Sequence, residues 1–209
     1  MSRTSSLEVA GLRVTLGSRP VLAGVDATLP IPGSVALVGP SGSGKTTLLA
    51  AIAGLLSPDA GVVRWRGTAL DPRSIAWIMQ TTPLLGARSA LGNVMLGGLG
   101  RGLRHREAAE LAWDAAARLG LEALLGVPVR RLSGGERQRV AVARALVQEA
   151  PVVLADEPTA SLDAASRDRV VEALLAVEAA GHLVVVATHD EAVAERCSHR
   201  IVLVDGRVG

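Results

Sequence analysis

Hydrophobic and polar residues follow two different periods along this chain, and segments with each period alternate. Residues 7–16 and 21–30 alternate apolar and polar side chains, which predicts antiparallel strands. Short apolar runs typical of buried strands lie at 34–39, 62–67, 74–80, 151–156, 183–188 and 200–206. Helical spacing predicts helices over 45–56, 106–120, 136–150, 164–181 and 190–197. This order predicts an α/β fold with a largely parallel sheet.

The pattern also predicts how the domain is organised. From residue 84 to 148, helical spacing and glycine-rich loops replace the strand pattern. We therefore expect a helical subdomain over 84–148, inserted into an α/β core made of 1–83 and 149–209. The small, apolar segment 84–99 can serve as a docking surface or as a helix that packs within the subdomain. The 209 residues fit a single domain.

Composition narrows the possible partners. Hydrophobic residues make up 49% of the chain, yet Phe and Tyr are absent, so Leu, Val, Ile and Ala must build the core. The net charge is only +2. Arginines cluster at 101–106 and 130–139 without the aromatic neighbours that stack on bases. These clusters indicate solvated faces, and no nucleic-acid partner is expected.

Compartment signals point away from secretion. Cys197 is the only cysteine, which excludes an internal disulfide and fits a reducing compartment. The first residues, MSRTSSLEVAGLRV, lack the pattern of a signal peptide. No apolar run approaches the roughly 20 residues that span a bilayer. We expect a soluble intracellular protein whose contact with any membrane goes through a partner.

Residues 39–47, GPSGSGKTT, match the phosphate-binding loop G-x-x-x-x-G-K-[ST] and contain the only lysine of the chain. A predicted strand precedes the match and a predicted helix follows it, as the motif requires. Glycines let backbone N–H groups turn inward around a phosphate, and the helix start adds its positive end. Lys45 is placed for the β- and γ-phosphates of ATP and Thr46 for Mg²⁺. The candidate nucleotide-binding set is Gly39, Pro40, Ser41, Gly42, Ser43, Gly44, Lys45, Thr46 and Thr47.

A second part of such a site is an acid at the end of a buried strand. The run VVLADE places Asp156 and Glu157 there. Ligands of parallel sheets bind at this carboxyl edge. We expect Asp156 to hold Mg²⁺ through water and Glu157 to accept a proton from an attacking water.

The stretch LSGGERQRV at 132–140 has the form of a capping box, with Ser133 as N-cap and Glu136 three residues later. Gly134 and Gly135 weaken a first helical turn by up to about 1 kcal/mol each, but they let a phosphate approach closely. Together with GPSGSGKTT and VVLADEPTASLD, in this order and over essentially the whole chain, the stretch makes the sequence resemble the nucleotide-binding domain of ABC transporters.

The resemblance implies a P-loop NTPase (RecA-like) core and a head-to-tail dimer that sandwiches two ATPs. Each site would pair Lys45 of one copy with Ser133, Gly134 and Gly135 of the other. Gln80 corresponds to the Q-loop glutamine, which senses Mg²⁺ and links to the membrane subunit. Asp163 corresponds to the D-loop, and it is equally placed to cap the next helix. His189 corresponds to the switch histidine at the γ-phosphate.

One position departs from the family pattern. The family places an aromatic side chain upstream of the P-loop to stack on adenine, and the alignment puts Leu16 there. Loss of that stacking costs about 1 kcal/mol by analogy with aromatic pairs. We therefore expect weaker or less base-selective nucleotide binding.

The function implied by the resemblance is a Mg²⁺-dependent ATPase subunit that drives transport through a transmembrane permease, peripheral on the inner face of the cell membrane. The string TPLL…ALGNV after Gln80 is similar to the lipoprotein-release and macrolide-export type, although importers of small polar solutes share most of it. The alternative is a single-domain ABC ATPase with a regulatory or mechanical role. Relatives acting on DNA carry coiled-coil insertions, which this chain lacks, and a non-hydrolytic regulator would be expected to lack Glu157 or His189.

Overall fold

Ten strands and six helices form two sheets and a helical layer in the computed structural model, which describes residues 5–81 and 83–209. In chain order the first elements are β1 (Ser6–Leu16), β2 (Arg19–Pro30), β3 (Gly33–Val38), α1 (Lys45–Ile52), β4 (Ala60–Trp65), β5 (Thr68–Ala69) and β6 (Ile75–Ile78). They are followed by α2 (Ala90–Gly100), α3 (His105–Arg118), α4 (Gly134–Val147), β7 (Val152–Asp156) and α5 (Ala164–Ala179). The last are β8 (Leu183–Ala187), α6 (Glu191–Ala194), β9 (His199–Val204) and β10 (Arg207–Val208).

The predicted α/β class is confirmed. An antiparallel sheet has the order β2-β1-β4-β5, and the second sheet has the order β10-β9-β3-β8-β7-β6. Strands β9, β3, β8, β7 and β6 are parallel to one another, and β10 pairs antiparallel at the edge. The continuous apolar runs are explained by this arrangement, because β3, β7 and β8 are buried along their whole length.

The parallel sheet separates two hydrophobic cores. In β7, Val152 and Leu154 face the core shared with α1 and the antiparallel sheet. Val153 and Ala155 point the opposite way, into the core shared with the helices. This alternation follows from the period of two residues in a strand. The two cores therefore pack against both faces of the parallel sheet and fix the carboxyl ends of its strands.

Helices α2, α3 and α4 lie between β6 and β7 in the chain, within the range predicted for the helical subdomain. The exact division at 84–148 stays a prediction. Of the two interpretations of segment 84–99, packing within the subdomain is confirmed for α2. A Cβ on Gly97 would lie 2.3 Å from the carbonyl oxygen of Arg144, so α2 and α4 touch through backbone.

Two sequence expectations fall partly outside the described residues. Residues 1–4 belong to the segment in which no signal peptide was expected, and Thr82 belongs to the TPLL string. Among the helices that the structure does describe, none combines the length and the apolar character needed to cross a membrane.

Candidate functional site

Four parallel strands direct their carboxyl ends at one cavity of about 420 Å³. β3 leads into the glycine-rich loop, β6 is followed by Gln80, β7 by Glu157, and β8 by His189. The edge of a parallel sheet where strands end is the usual place for a ligand. The described residues that line the cavity are Arg19, Val21, Ser41, Gly42, Gly44, Lys45, Thr46, Thr47, Gln80, Asp156, Glu157 and His189.

The loop between β3 and α1 requires glycine for two reasons. Gly42 and Gly44 have φ values of 80° and 106°, which side-chain-bearing residues rarely adopt. At Gly39 the space is also closed, because a Cβ would lie 2.1 Å from the carbonyl oxygen of Leu203. Three residues of the predicted nucleotide-binding set are not among the described residues that line the cavity: Gly39, Pro40 and Ser43. Ser43 is buried beneath the loop.

Lys45 begins α1 and is only 9% exposed. Its Nζ donates to the carbonyl oxygens of Gly39 at 2.7 Å and Pro40 at 3.2 Å. The side chain therefore folds back over the loop, and its ammonium is held at the cavity wall. A cation in this position can meet the phosphates of a nucleotide.

Thr46 and Asp156 bring two oxygen donors together. The Thr46 hydroxyl donates to Asp156 Oδ2 at 2.7 Å. Burial raises the pKa of Asp156, and the neighbouring Glu157 raises it further, while the bond from Thr46 and the charge of Lys45 lower it. A cation would offset the cost of this buried charge, and hydroxyl and carboxylate oxygens are the ligands Mg²⁺ prefers. These residues therefore fit a Mg²⁺ site, and Gln80 lines the same cavity.

Glu157 has a left-handed backbone, with φ 47°. Its N–H donates to the carbonyl oxygen of Ala187 at 2.9 Å, which ties the residue to the end of β8. Glu157 Oε1 lies 2.8 Å from His189 Nδ1. A non-glycine residue with this backbone costs on the order of 1–3 kcal/mol, and such strain clusters at functional sites.

The predicted capping box at Ser133 and the predicted N-cap at Asp163 are both present. The Glu136 N–H donates to Ser133 Oγ at 3.3 Å, and the Ser133 N–H donates to Glu136 Oε2 at 2.7 Å. This backbone bond holds the pKa of Glu136 below its ordinary value. Asp163 caps α5 by accepting from the Ser166 N–H at 2.9 Å, which lowers the pKa of Asp163.

These two helix starts lie apart from Lys45 within one chain. None of Ser133, Gly134, Gly135 and Asp163 is among the described residues that line the cavity of Lys45. A separate cleft of about 310 Å³ is lined by Gln80, Thr81, Gly134, Arg137, Gln138 and Ser161. Gln80 thus borders both spaces.

A family model described as ABC transporter matches residues 22–160. The chain belongs to the ABC transporter family. As a member it is an ATP-binding protein and an ATPase.

Curated relatives of this family cover most of the chain. It is 40% identical to the lipoprotein-releasing system ATP-binding protein LolD 1 of Caulobacter vibrioides over 206 residues, which cover 90% of this chain and 86% of the relative. It is 45% identical to LolD of Nitrobacter winogradskyi over 188 residues, covering 84% and 81%. A LolD of Anaeromyxobacter dehalogenans is 40% identical over 98% of this chain and 93% of its own length.

Solved structures confirm the P-loop NTPase fold. The dimeric structure of MJ0796, a bacterial ABC transporter cassette, has a TM-score of 0.89 at 31% identity and covers 97% of this chain and 96% of its own. A dimeric post-hydrolysis state of the same cassette, bound to ADP and Pi, has a TM-score of 0.87 at 30% identity with the same coverage.

The structure adds residues that the motifs of this ABC ATPase did not indicate. Arg19 and Val21 line the nucleotide cavity from β2. Gly206 supports the P-loop, because its N–H donates to the Ser43 carbonyl oxygen at 3.1 Å. Gln138 is buried in α4, and its Nε2 has no hydrogen-bond partner among the described residues. The sequence carries no motif at Arg19, and its place in the cavity wall comes from the structure.

Proposed function

We propose that this ABC ATPase powers the release of lipoproteins from a membrane through partner transmembrane subunits. The proposal is supported by the convergence of Lys45, Asp156, Glu157 and His189 on one cavity. The curated relatives at 36–45% identity, which are named lipoprotein-releasing system ATP-binding proteins, supply the substrate class. Because the chain would reach the membrane through those subunits, we place it on the inner face of the cell membrane.

The residues of the cavity divide the chemistry among them. Lys45 and the N–H groups of residues 41–47 bind and orient the phosphates. Thr46, Asp156 and Gln80 would hold Mg²⁺, which when bound would neutralise phosphate charge and act as a Lewis acid. Glu157 takes the proton from a water aligned with the γ-phosphate. The oxygen of that water bonds to phosphorus as the bond to ADP breaks.

His189 positions the base and faces the same phosphate. An ionised carboxylate only accepts hydrogen bonds, so in the contact with Glu157 the histidine Nδ1 is the donor. The histidine side chain is 71% exposed and the glutamate 13% exposed, so the ring covers the carboxylate from the solvent side. The other ring nitrogen donates to a γ-phosphate oxygen when the imidazole carries a proton on both nitrogens.

A second copy completes the site. Ser133, Gly134 and Gly135 form the start of α4, away from the cavity of their own chain. A helix start binds anions through its free N–H groups and its dipole. We therefore propose a head-to-tail dimer in which each α4 start contacts the γ-phosphate held by Lys45 of the other copy, with Asp163 at the same interface. Closure and reopening of this dimer would move the membrane subunits.

Depletion in the native cell tests the proposal. A pulse-labelled lipoprotein should accumulate in the membrane where it is made when this chain is depleted. Wild-type chain should restore its release, and Glu157→Gln should not. Uptake of small solutes and macrolide resistance serve as the competing readouts. Unchanged lipoprotein traffic alongside a defect in one of these would assign the ATPase to another transporter.

A further inference from the structure

We infer that Arg19 forms the platform on which the nucleotide base stacks in this ATPase. The inference concerns how the chain recognises the base, and it rests on its membership in an ATP-binding family. Four observations support it: the cavity has two distinct ends, β2 has a fixed position, the aromatic side chains lie elsewhere, and the Arg19 guanidinium has no partner among the described residues.

The cavity has a reacting end and an opposite end. Gln80, Glu157 and His189 line the end where the γ-phosphate reacts, and the P-loop holds the phosphates in the middle. The base and the γ-phosphate are at opposite ends of a nucleoside triphosphate. The base must therefore extend from the P-loop on the side away from these three residues. Apart from Asp156, which is bonded to Thr46, the described lining residues outside the P-loop and the reacting end are Arg19 and Val21.

Strand β2 is fixed against the P-loop at two points. A Cβ on Gly44 would lie 2.9 Å from Leu22 Cδ2 and 3.2 Å from the Val21 carbonyl oxygen. On the other side, a Cβ on Gly206 would lie 2.2 Å from the same Val21 oxygen. The start of β2 is therefore held at a set distance from the phosphates, as a base-binding wall requires.

The aromatic side chains of the protein lie elsewhere. The chain contains no Phe or Tyr, and its three Trp residues are all among the described residues. Trp65 has Arg66 over its ring at 5.3 Å, and Trp77 packs with the core beneath the antiparallel sheet. Trp113 lies on α3. None of the three is among the residues that line the nucleotide cavity.

Leu16 does not supply the missing platform. It pairs with Arg19 across the turn that joins β1 and β2, so the two side chains share a face of the sheet. Leu16 is 47% exposed and is not among the cavity-lining residues, whereas Arg19 is. Leu16, at the position where the family has an aromatic residue, therefore lies beside the cavity wall, whereas Arg19 is part of that wall.

The guanidinium of Arg19 is available for this role. Within residues 5–81 and 83–209 it has no hydrogen bond and no ion pair. A planar guanidinium stacks on π-systems. Every base has a π-face, so such stacking holds the base with little selectivity. Val21 adds apolar contact beside it.

Calorimetric titration of the full-length chain with ADP and with inorganic tripolyphosphate tests the inference, since neither requires turnover. Arg19→Ala should weaken ADP binding about two- to five-fold and leave tripolyphosphate binding unchanged. Arg19→Lys should behave like Arg19→Ala, because the ammonium keeps the charge without the plane. Arg19→Tyr should restore or improve the affinity for ADP. Arg64→Ala, an exposed arginine of β4, is the matched control.

The outcomes separate the possible roles. An equal loss for ADP and tripolyphosphate in Arg19→Ala, with retention in Arg19→Lys, would make Arg19 a phosphate ligand and overturn the inference. Unchanged ADP affinity in Arg19→Ala would also overturn it. Leu16→Tyr should rescue the Arg19→Ala variant, since the tyrosine lies beside the same wall, and absence of any gain would place the base elsewhere. Binding of ADP by the wild type reports separately on the ATPase site.

Discussion

Glu157 and His189 come from the ends of two neighbouring strands, and their side chains meet at 2.8 Å between Oε1 and Nδ1. Register explains the meeting, because Asp156 of β7 is paired with Ala187 of β8, and each functional residue follows one of these within two positions. The left-handed backbone of Glu157 then turns its carboxylate toward the histidine. The proposed base is therefore positioned by sheet geometry and by one unusual backbone conformation.

Glu157→Gln should abolish hydrolysis while preserving nucleotide binding. The amide keeps an oxygen at the same place but cannot take up a proton, so we expect kcat to fall by at least about 10²-fold. ATP should then trap the closed dimer, which size-exclusion chromatography would detect. Glu122→Gln, at an exposed position outside the cavity, should leave both readouts unchanged. A normal turnover rate in Glu157→Gln would remove this residue from the proposed role.

Lys45→Arg should lose hydrolysis despite keeping the charge. The ammonium is held by two carbonyl oxygens, at 2.7 and 3.2 Å, in a place that is only 9% exposed. A planar guanidinium is wider and cannot fit this geometry without moving the loop. We expect weakened ATP binding in a filter assay and an ATPase rate at background. The reverse exchange at the surface, Arg64→Lys, should have no effect. Near-normal hydrolysis in Lys45→Arg would show that only the charge matters.

The sequence predicted the longer strands individually because the parallel sheet is buried on both faces, but it did not predict the two-residue strands β5 and β10. Runs such as VVLAD and LVVVA are apolar at almost every position, which predicts strands that are buried on both faces. The P-loop, the capping box at Ser133 and the N-cap at Asp163 could also be predicted, since each depends on residues close together in the chain. Arg19, Gln138 and Gly206 were missed because their roles arise from contacts between distant segments. The Gly206 N–H meets Ser43 only once the last turn packs on the P-loop.

Asp156→Asn should stabilise the protein without nucleotide and remove its response to Mg²⁺. Burial raises the folded-state pKa of Asp156 above its ordinary value, so the wild type is penalised relative to the variant as pH rises through that raised pKa. Below the ordinary value the penalty is absent. At pH 7.5 we expect Tm to rise by about 2–4 °C for each kcal/mol relieved, with a smaller difference in acid.

Thermal denaturation and Mg²⁺-dependent ATP binding would measure the two effects of Asp156→Asn together. The asparagine oxygen still accepts from Thr46, so the loop should keep its shape. Asp71→Asn is the contrasting variant, because its exposed carboxylate has a pKa lowered by Arg73 and offers no burial penalty to relieve. An Asp156→Asn protein that is less stable at neutral pH, or one that still responds to Mg²⁺, would contradict the assignment.

Gly135→Ala should leave the single chain folded while impairing ATP-driven dimerisation. A Cβ at Gly134 meets nothing within 4 Å, and at Gly135 the nearest atom is the Ser161 carbonyl oxygen at 3.1 Å. Alanine is also the better helix former, by up to about 1 kcal/mol. Nothing within one chain therefore demands glycine at Gly134, and only a slight adjustment is needed at Gly135. A requirement for glycine at the start of α4 would have to come from the close approach of the phosphate held by the other copy.

Sedimentation velocity of Gly134→Ala and Gly135→Ala, each combined with Glu157→Gln, would test this point. We expect both variants to melt within a few degrees of their parent and the ATP-bound dimer to be lost or weakened at least ten-fold in Gly135→Ala. Gly100→Ala, at the end of α2 with open space around it, gives the same change of residue away from the proposed interface. If Gly135→Ala dimerised as well as Gly100→Ala, the α4 start would not lie against the partner's phosphate, and the head-to-tail arrangement would fail.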